Sequence, residues 1–489
     1  MATWTDHEHR AAVRLLTDSY ARLDPAQPAR LAKRTTNLFR PRAAASGPGL
    51  DCSGLTGVLD VDPDAGTATV QGMATYETLV EATLARGVMP LVVPQLRTIT
   101  LGGAVTGLGI EASSFRNGLP HESVRSMDIL VGTGEIVTAT PDGPHAQLYR
   151  AFPNSYGSLG YAVSLTIDVE PVAPFVRLRH LPFEDLGALV AAIGEIVSAR
   201  AWAQEPVDFL DGVVFGRHAA YLTLGRWEHR LDAAECPSDY GGQQIYYRSI
   251  RQRATDALTV RDYLWRWDTD WFWCSRAFGV QRPAVRRLWP RRLRRSDVYQ
   301  RIVGFENRHG VAARVDRWRG RPARERVVQD VEIPLGRTAD FLDWLLREVP
   351  IEPIWLCPVT LRAPGSVSGP TADPAPDPGS GPAPGPTAPP GAGAGPWPLY
   401  PLRPGEVYVN VGFWSSVPIR PGHTDGDVNR DIEGVVSALG GHKSLYSDAY
   451  YSREDFDRRY GGVHYAAAKR RYDPDGRFLD LYDKAVRRR

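Results

Sequence analysis

The sequence predicts an α+β protein, and three observations carry that prediction. Residues 55–90 read as strand, turn, strand, helix, strand. From about Val176 onward, helical segments such as "FEDLGALVAAIGEIVSAR" and "TADFLDWLLREV" alternate with strands such as "VDFLDGVVF", "AAYLTLG" and "VVQDVEIPL". The chain of 489 residues is 43% hydrophobic and 23% charged, which supports real cores in two or three domains.

In chain order, "GVLDVD" and "GTATVQG" are strands flanking the turn "PDAG". Thr75 caps a helix whose apolar face is Tyr76, Leu79, Val80 and Leu84, and Gly87 stops it before "MPLVV". "SMDILV" and "EIVTAT" flank Gly132-Thr133-Gly134, a hairpin signal, and "GYAVSLTIDVEP" closes a first domain at residues 1–175. Residues 176–450 form the second domain. It is interrupted at 364–396 by "PGSVSGPTADPAPDPGSGPAPGPTAPPGAGAG", a Pro/Gly/Ala tract too poor in apolar residues to order itself. Because "EPIWLCPVTLR" and "GEVYVNVGFW" on either side look like strands of one sheet, the tract reads as a disordered loop insertion rather than a domain boundary. Residues 451–489 are a charged helical tail.

Composition excludes several classes. A net charge of +2 gives no global field for nucleic acid. Cys52, Cys236, Cys274 and Cys357 are far apart and form no CxxC, so they read as buried free thiols, with no metal site. The start "MATWTDHEHRAAVRLL" is not a secretory signal, and no run of about 18 apolar residues would span a membrane.

The most telling stretch is "TITLGGAVTGLGIEASSFRNGLPHESV", residues 98–124. Gly102, Gly103, Gly107 and Gly109 would let backbone approach a ligand, and consecutive N–H groups would then cradle a phosphate. The spacing GGxxxGxG is neither the GxGxxG of a Rossmann turn nor a Walker A loop, and no helical periodicity follows it. A nucleotide is implied by some third device.

This run, with "RSMDILVGTGEIVTAT" after it, resembles the FAD-binding (PCMH-type) domain of the vanillyl-alcohol-oxidase superfamily. "GIEASS", "PIEPIWLCPVTL" and "LYSDAYYSREDF" resemble its Δ24-sterol reductase branch, which also contains actinobacterial reductases of 10-methylene fatty-acyl chains. The resemblance implies a two-subdomain FAD-binding domain and an α+β substrate or cap domain, with a C-terminal segment that returns to the flavin. It implies FAD contacts from Thr100, Leu101, Gly102, Gly103, Ala104, Thr106, Gly107, Gly109, Ile110, Glu111, Ala112, Ser113, Ser114, Gly118 and His121. Gly157, Leu159 and Gly160 of "YGSLGYAV" should lie beside the adenine end. Lys33, Arg34, Thr35 and Asn37 match the position of the family's first pyrophosphate loop, although Lys33 and Arg34 read equally as a solvated basic turn. "RLAKRTTNLFRPR" lacks the His that bonds covalently to flavin in many relatives, so the FAD should be dissociable.

On the substrate side, the segment 263–295 crowds Trp265, Trp267, Trp271, Trp273 and Trp289 against Arg282, Arg286, Arg287, Arg291, Arg292, Arg294 and Arg295. It reads either as a face resting on an anionic membrane or as an aromatic core with a solvated basic edge. By resemblance, Gln329 and Asp330 occupy a strand facing the flavin, and His464, Tyr465 and Lys469 lie on the returning segment; His464 and Lys469 read equally as an exposed helix face. Glu111, Asp330, Tyr450, His464 and Lys469 are the candidates for catalysis, chiefly as proton donor, and the sequence does not choose among them. The expected activity is reduction of an isolated, branched C=C bond in a lipid, with NADPH as electron source. The substrate would be a methylene-branched acyl chain of a phospholipid or a Δ24-sterol-like molecule. The expected setting is cytoplasmic, peripheral on the inner face of the membrane, with a lipid methyltransferase as partner. The alternatives are an alcohol or sugar oxidase using O₂, and a non-enzymatic membrane scaffold.

Overall fold

The computed structural model describes residues 4–33, 39–40, 47–309, 314, 318, 320–362 and 396–487. The insertion at 364–396, apart from Pro396, and the candidates Arg34, Thr35 and Asn37 lie outside the described residues.

The chain opens with α1 (Asp6–Ala21), started by a capping box in which Thr5 and Glu8 satisfy each other's backbone N–H. Six strands then build an antiparallel sheet: β1 (Val58–Asp62), β2 (Thr67–Gln71), β3 (Val88–Pro90), β4 (Val124–Leu130), β5 (Ile136–Ala139) and β6 (Tyr161–Pro171). Long β6 sits at the centre, pairing with β2, β4 and β3. Helix α2 (Tyr76–Leu84) is capped by the Thr75 hydroxyl and buries Tyr76, Leu79 and Val80, as the periodicity requires.

Three residues beyond Pro171, β7 (Phe175–Phe183) begins a second sheet of eight antiparallel strands. After a small hairpin of β8 (Ala201–Trp202) and β9 (Glu205–Pro206) come β10 (Phe209–Val214), β11 (Ala220–Glu228), β12 (Thr255–Thr259), β13 (Arg324–Pro334), β14 (Ile354–Thr360), β15 (Val407–Pro418) and β16 (His442–Lys443). The order across the sheet is β12-β7-β11-β10-β14-β15-β13-β16. Strands β14 and β15 are direct neighbours, with Thr360 opposite Val407, so the Pro/Gly tract leaves and re-enters one sheet.

Strand alternation divides this sheet's faces. Val327, Val331, Ile333, Ile354, Leu356, Val409, Val411 and Phe413 pack under the helices Leu186–Ala199, Leu335–Glu348 and Asp427–Ala438. The opposite face carries Asp211, Asp330, Glu332, Trp355, Asn410, Gly412 and Trp414. Its aromatic and aliphatic members join one core with the first sheet and the tryptophan-rich segment. The C-terminal helices Arg453–Arg459, Gly462–Tyr472 and Leu481–Ala485 return to the first domain, where Gly132 N–H bonds to Tyr472 O and Lys469 Nζ to Ser158 O.

The tryptophan-rich segment resolves as core. Trp265, Trp267, Trp271 and Trp273 are buried and Trp289 is partly covered, so these rings form no surface on which a membrane could rest. Trp267, Phe272, Trp273, Trp355 and Trp414 make one network of ring contacts. The arginines divide. Arg286 is buried against Asp270, and Arg294 is buried on backbone carbonyls. Arg295 pairs with Glu77, whereas Arg282, Arg287 and Arg292 are exposed beside Leu288. Cys236 is also exposed, contrary to the expectation that all four thiols are buried. Among the described residues no helix is long and apolar enough to cross a membrane, and no metal-binding group of His, Cys, Asp or Glu occurs.

Candidate functional site

The glycine run is helical where the sequence suggested an open loop. Leu101–Gly107 forms α3, capped by the Thr100 hydroxyl, which accepts from Gly103 N at 3.3 Å. Gly102, Gly103, Gly107 and Gly109 all avoid left-handed backbone; Leu108, between the last two, adopts it at φ 64°. The missing side chains serve close packing instead. A Cβ on Gly102 would come within 2.7 Å of the Gly72 carbonyl oxygen, and one on Gly109 within 2.8 Å of Pro94. Gly103 is exposed, and Gly107 lies against the Tyr156 ring. Leu101, Ala104, Ile110 and Ala112 face the core, and Thr106 bonds its hydroxyl to Gly102 O. Lys33 arrives from the preceding loop and donates to Thr100 Oγ1 at 3.3 Å. Burial pushes its ammonium below the usual lysine range, and it has no carboxylate partner among the described residues.

A second wall is the loop 154–160. Asn154, Tyr156 and Gly157 all take positive φ, a costly conformation for the first two. It is held by Tyr156 N–H to Thr106 O and Tyr156 OH to Gly107 O, both 2.9 Å. Lys484 donates to Gly157 O and Lys469 to Ser158 O, each at 2.7 Å. Leu159 is fully buried, and Gly160 leaves no room for a Cβ against Leu130 O. Lys469 thus clamps this loop; Asp473 and the Phe478 carbonyl also accept from its ammonium.

Ser113 and Ser114 spend their hydroxyls internally, on Leu91 O and on Glu111 N. Past Gly118, whose φ is +70°, buried His121 sits edge-on to Trp397 at 4.6 Å. Neither of its ring nitrogens has a partner, and burial lowers its pKa to about 3, so it is neutral.

Glu111 sits in a buried ion-pair network. Its Oε1 accepts from Arg266 Nη2 at 2.9 Å, and the same guanidinium reaches Asp211 at 3.0 Å. All three side chains are buried; Arg266 also stacks 3.9 Å from the Tyr263 ring centroid. Trp267 and Trp355 donate to Asp211, closing the network. Burial raises the Glu111 pKa, but the adjacent cation opposes that rise.

Asp330 has a different environment. It lies on the β13 face opposite the helices and is half-buried, with protein on all sides. Burial lifts its carboxyl to about 7, against hydrogen bonds from Asn410 and Tyr446. Glu332, two residues on and on the same face, is pushed well up by burial, with Asp330 adding to the rise; Ser444 and Tyr400 bond to it. Tyr156, from the wall beside Gly107, lies within the electrostatic reach of both carboxyls. Tyr156 thus connects the glycine run, through Gly107, to the Asp330 face, with Arg40 over its ring at 4.8 Å.

Other expectations separate here. Gln329 points to the opposite face, donating to Asn429 under the helices, because neighbours on a strand alternate. His464 is exposed on its helix. Tyr450 packs by Gly426 under Arg430, with its N–H on Glu433. Neither adjoins Asp330. Arg266, Glu332, Tyr400 and Tyr446 were not expected; Arg266 was hidden inside the tryptophan-rich run, and the period-two offset from Asp330 pointed to Glu332.

Known proteins agree with this architecture. Residues 28–140 match the protein family described as FAD binding domain, which defines the class: a flavoprotein that holds FAD in its N-terminal domain. The longer matches are more particular. The chain is 24% identical over 463 residues to Delta(24)-sterol reductase of Arabidopsis thaliana, covering 90% of this chain and 77% of that protein. It is 24% identical over 454 residues to the Homo sapiens protein of the same name, covering 88% and 76%. A shorter match, 26% over 181 residues, is to Cytokinin dehydrogenase 1 of Oryza sativa subsp. japonica, covering 36% and 34%. Together these matches support the FAD-binding superfamily and its sterol-reductase-like branch.

The residues present fit that cofactor. Lys33 is a half-buried cation without a carboxylate partner among the described residues, Gly103 is exposed beside it, and both nitrogens of buried His121 lack partners among the described residues. The Lys33 ammonium and the His121 nitrogens are polar groups that a bound dinucleotide would satisfy.

Proposed function

We propose that the protein reduces an isolated, branched C=C bond in a lipid, either a methylene-branched phospholipid acyl chain or a Δ24-sterol-like molecule, with NADPH as electron donor. The observation that carries this reading is Asp330: a carboxyl with a pKa of about 7 beside the Trp414 ring, within electrostatic reach of Tyr156, which lies against Gly107 of the glycine run. FAD bound there and reduced would supply a hydride. Lys33, Thr100, Gly103 and Gly107 would hold it. Asp330 keeps a proton near neutral pH and delivers it to the terminal carbon of the alkene, which leaves positive charge on the branched, tertiary carbon. Glu332 stays protonated behind Asp330, so no carboxylate there competes for that proton. The faces of Trp414 and Phe272, stacked 4.3 Å apart, stabilise the transient cation, and their packing excludes water that would quench it.

Anaerobic incubation of the purified protein with NADPH, followed at the flavin absorbance, tests the donor. Turnover of a methylene lipid in deuterated water tests the chemistry: solvent deuterium should appear on the terminal methylene carbon and the hydride on the tertiary carbon, read by product mass spectrometry. An untouched methylene lipid together with alcohol oxidation and peroxide release would establish the oxidase instead.

A further inference from the structure

A cavity of about 520 Å³ opens on the cap domain, away from the glycine run. That volume suits a small ligand. Three guanidinium groups line it, from Arg248, Arg251 and Arg276, against one carboxylate, Glu352. Elsewhere many arginines among the described residues sit against Asp or Glu, as Arg116, Arg177, Arg266 and Arg295 do. No ion pair involves Arg248, Arg251 or Arg276 among the described residues. Gathering like charges without counter-charges is unfavourable unless an anion joins them.

The arginines are also placed. Arg248 donates from Nη2 to Gln281 Oε1 at 2.7 Å and from Nε to Tyr247 OH at 3.2 Å. Gln281 is buried and is itself fixed by donating to Trp273 O and Ser275 Oγ. Arg251 lies over the Phe215 ring at 5.2 Å. Phe215 and Tyr247 stack 6.5 Å apart, forming an apolar floor under the cations.

This floor continues inward. Tyr247 meets Trp273 at 6.4 Å, Trp273 meets Trp414 at 5.6 Å, and Trp414 borders Gly412, where a Cβ would also strike Asp330. A run of aromatic rings therefore links the arginine cavity to the proposed proton donor.

We propose that this cavity binds a phosphate ester, its guanidinium forks gripping the phosphate oxygens. The favoured source is the head group of the lipid substrate, whose apolar chain would follow the aromatic run toward Asp330; this part rests on the reductase reading above. The other source of the same chemistry is the phosphate of NADPH.

The test uses the FAD-loaded protein and its Arg251→Gln/Arg276→Gln double variant, which changes two exposed side chains. Calorimetry with dihexanoylphosphatidylglycerol, and with dihexanoylglycerol as a phosphate-free control, measures lipid binding; stopped-flow reduction by NADPH measures the dinucleotide. Losing charge-assisted contacts should weaken phosphatidylglycerol binding by about tenfold or more. The control lipid and FAD content should not change. A loss confined to the NADPH arm would also support the phosphate site and assign it to the reductant. Equal behaviour of wild type and variant in both arms, or no binding of either phosphate probe by wild type, would overturn the proposal. These readouts do not require alkene reduction, so failure here leaves the reductase reading intact.

Discussion

Replacing Asp330 by Asn separates the proton-donor role from any structural one, because stability and activity should move in opposite directions. The Asp330 carboxyl is raised from an ordinary value of 3.8 to about 7. A raised acid holds its proton more tightly in the folded than in the unfolded chain, so between about pH 4 and 7 the folded state binds the extra proton and stability falls as pH rises. Integrated from pH 5 to 8, this one group removes about 3 kcal/mol. Asp330→Asn cannot ionise, so that part of the slope should vanish and the variant should be the more stable protein at pH 8. Glu332, whose raised carboxyl adjoins Asp330, stays unchanged and adds slope of the same sign, whereas Tyr156, Tyr400 and Tyr446, raised above their usual value, keep their protons throughout this range. Activity should fall by about 10²–10⁴-fold, the usual worth of a positioned acid. Wild-type turnover should decline above pH of about 7 as the carboxyl loses its proton. Urea unfolding of the FAD-loaded proteins at pH 5 and 8, with pH–rate profiles, supplies both halves. Parallel stability slopes for the two proteins, or wild-type turnover by Asp330→Asn, would refute the argument.

Three further outcomes follow from the packing. Gly102→Ala drives a Cβ against the Gly72 carbonyl and should cost about 1–3 kcal/mol of stability, whereas Gly103→Val meets the Thr100 hydroxyl at the exposed edge and should yield soluble protein with a reduced flavin-to-protein ratio. Arg266→Met strands Glu111 and Asp211 without their cation and should destabilise by about 3–5 kcal/mol in thermal unfolding, while Arg292→Met at the surface should leave Tm unchanged. Deleting 364–396 and joining the ends with a short Gly/Ser linker should preserve folding and flavin content. Arg362 N–H and Trp397 Nε1 on the two sides both donate to Glu122 Oε1, at 3.0 and 3.4 Å, so the ends already meet; insoluble protein would count against that.

The sequence by itself determined the elements and the class. Alternation along β1, β2, β4 and β6, the Thr75 cap and the turn at Gly132-Thr133-Gly134 are local signals, and local signals survive in a one-dimensional reading. The glycine run was legible as a place of close approach for the same reason. What approaches its glycines was not: Gly102 is bare because Gly72, thirty residues earlier, packs against it. Among the catalytic candidates, tertiary structure alone separated Asp330 from Glu111. Only the fold shows that Arg266 pairs with buried Glu111, while half-buried Asp330 has no ion-pair partner among the described residues. His464 and Lys469 were separated likewise, one to solvent and one to a carbonyl clamp. The tryptophan-rich segment carried enough apolar surface for a core or a membrane face, and hydrophobicity has no direction. Burial of four of its tryptophans, with Phe272 packed on Trp355 of β14 and Trp414 of β15, was a decision of long-range packing between residues far apart in the chain.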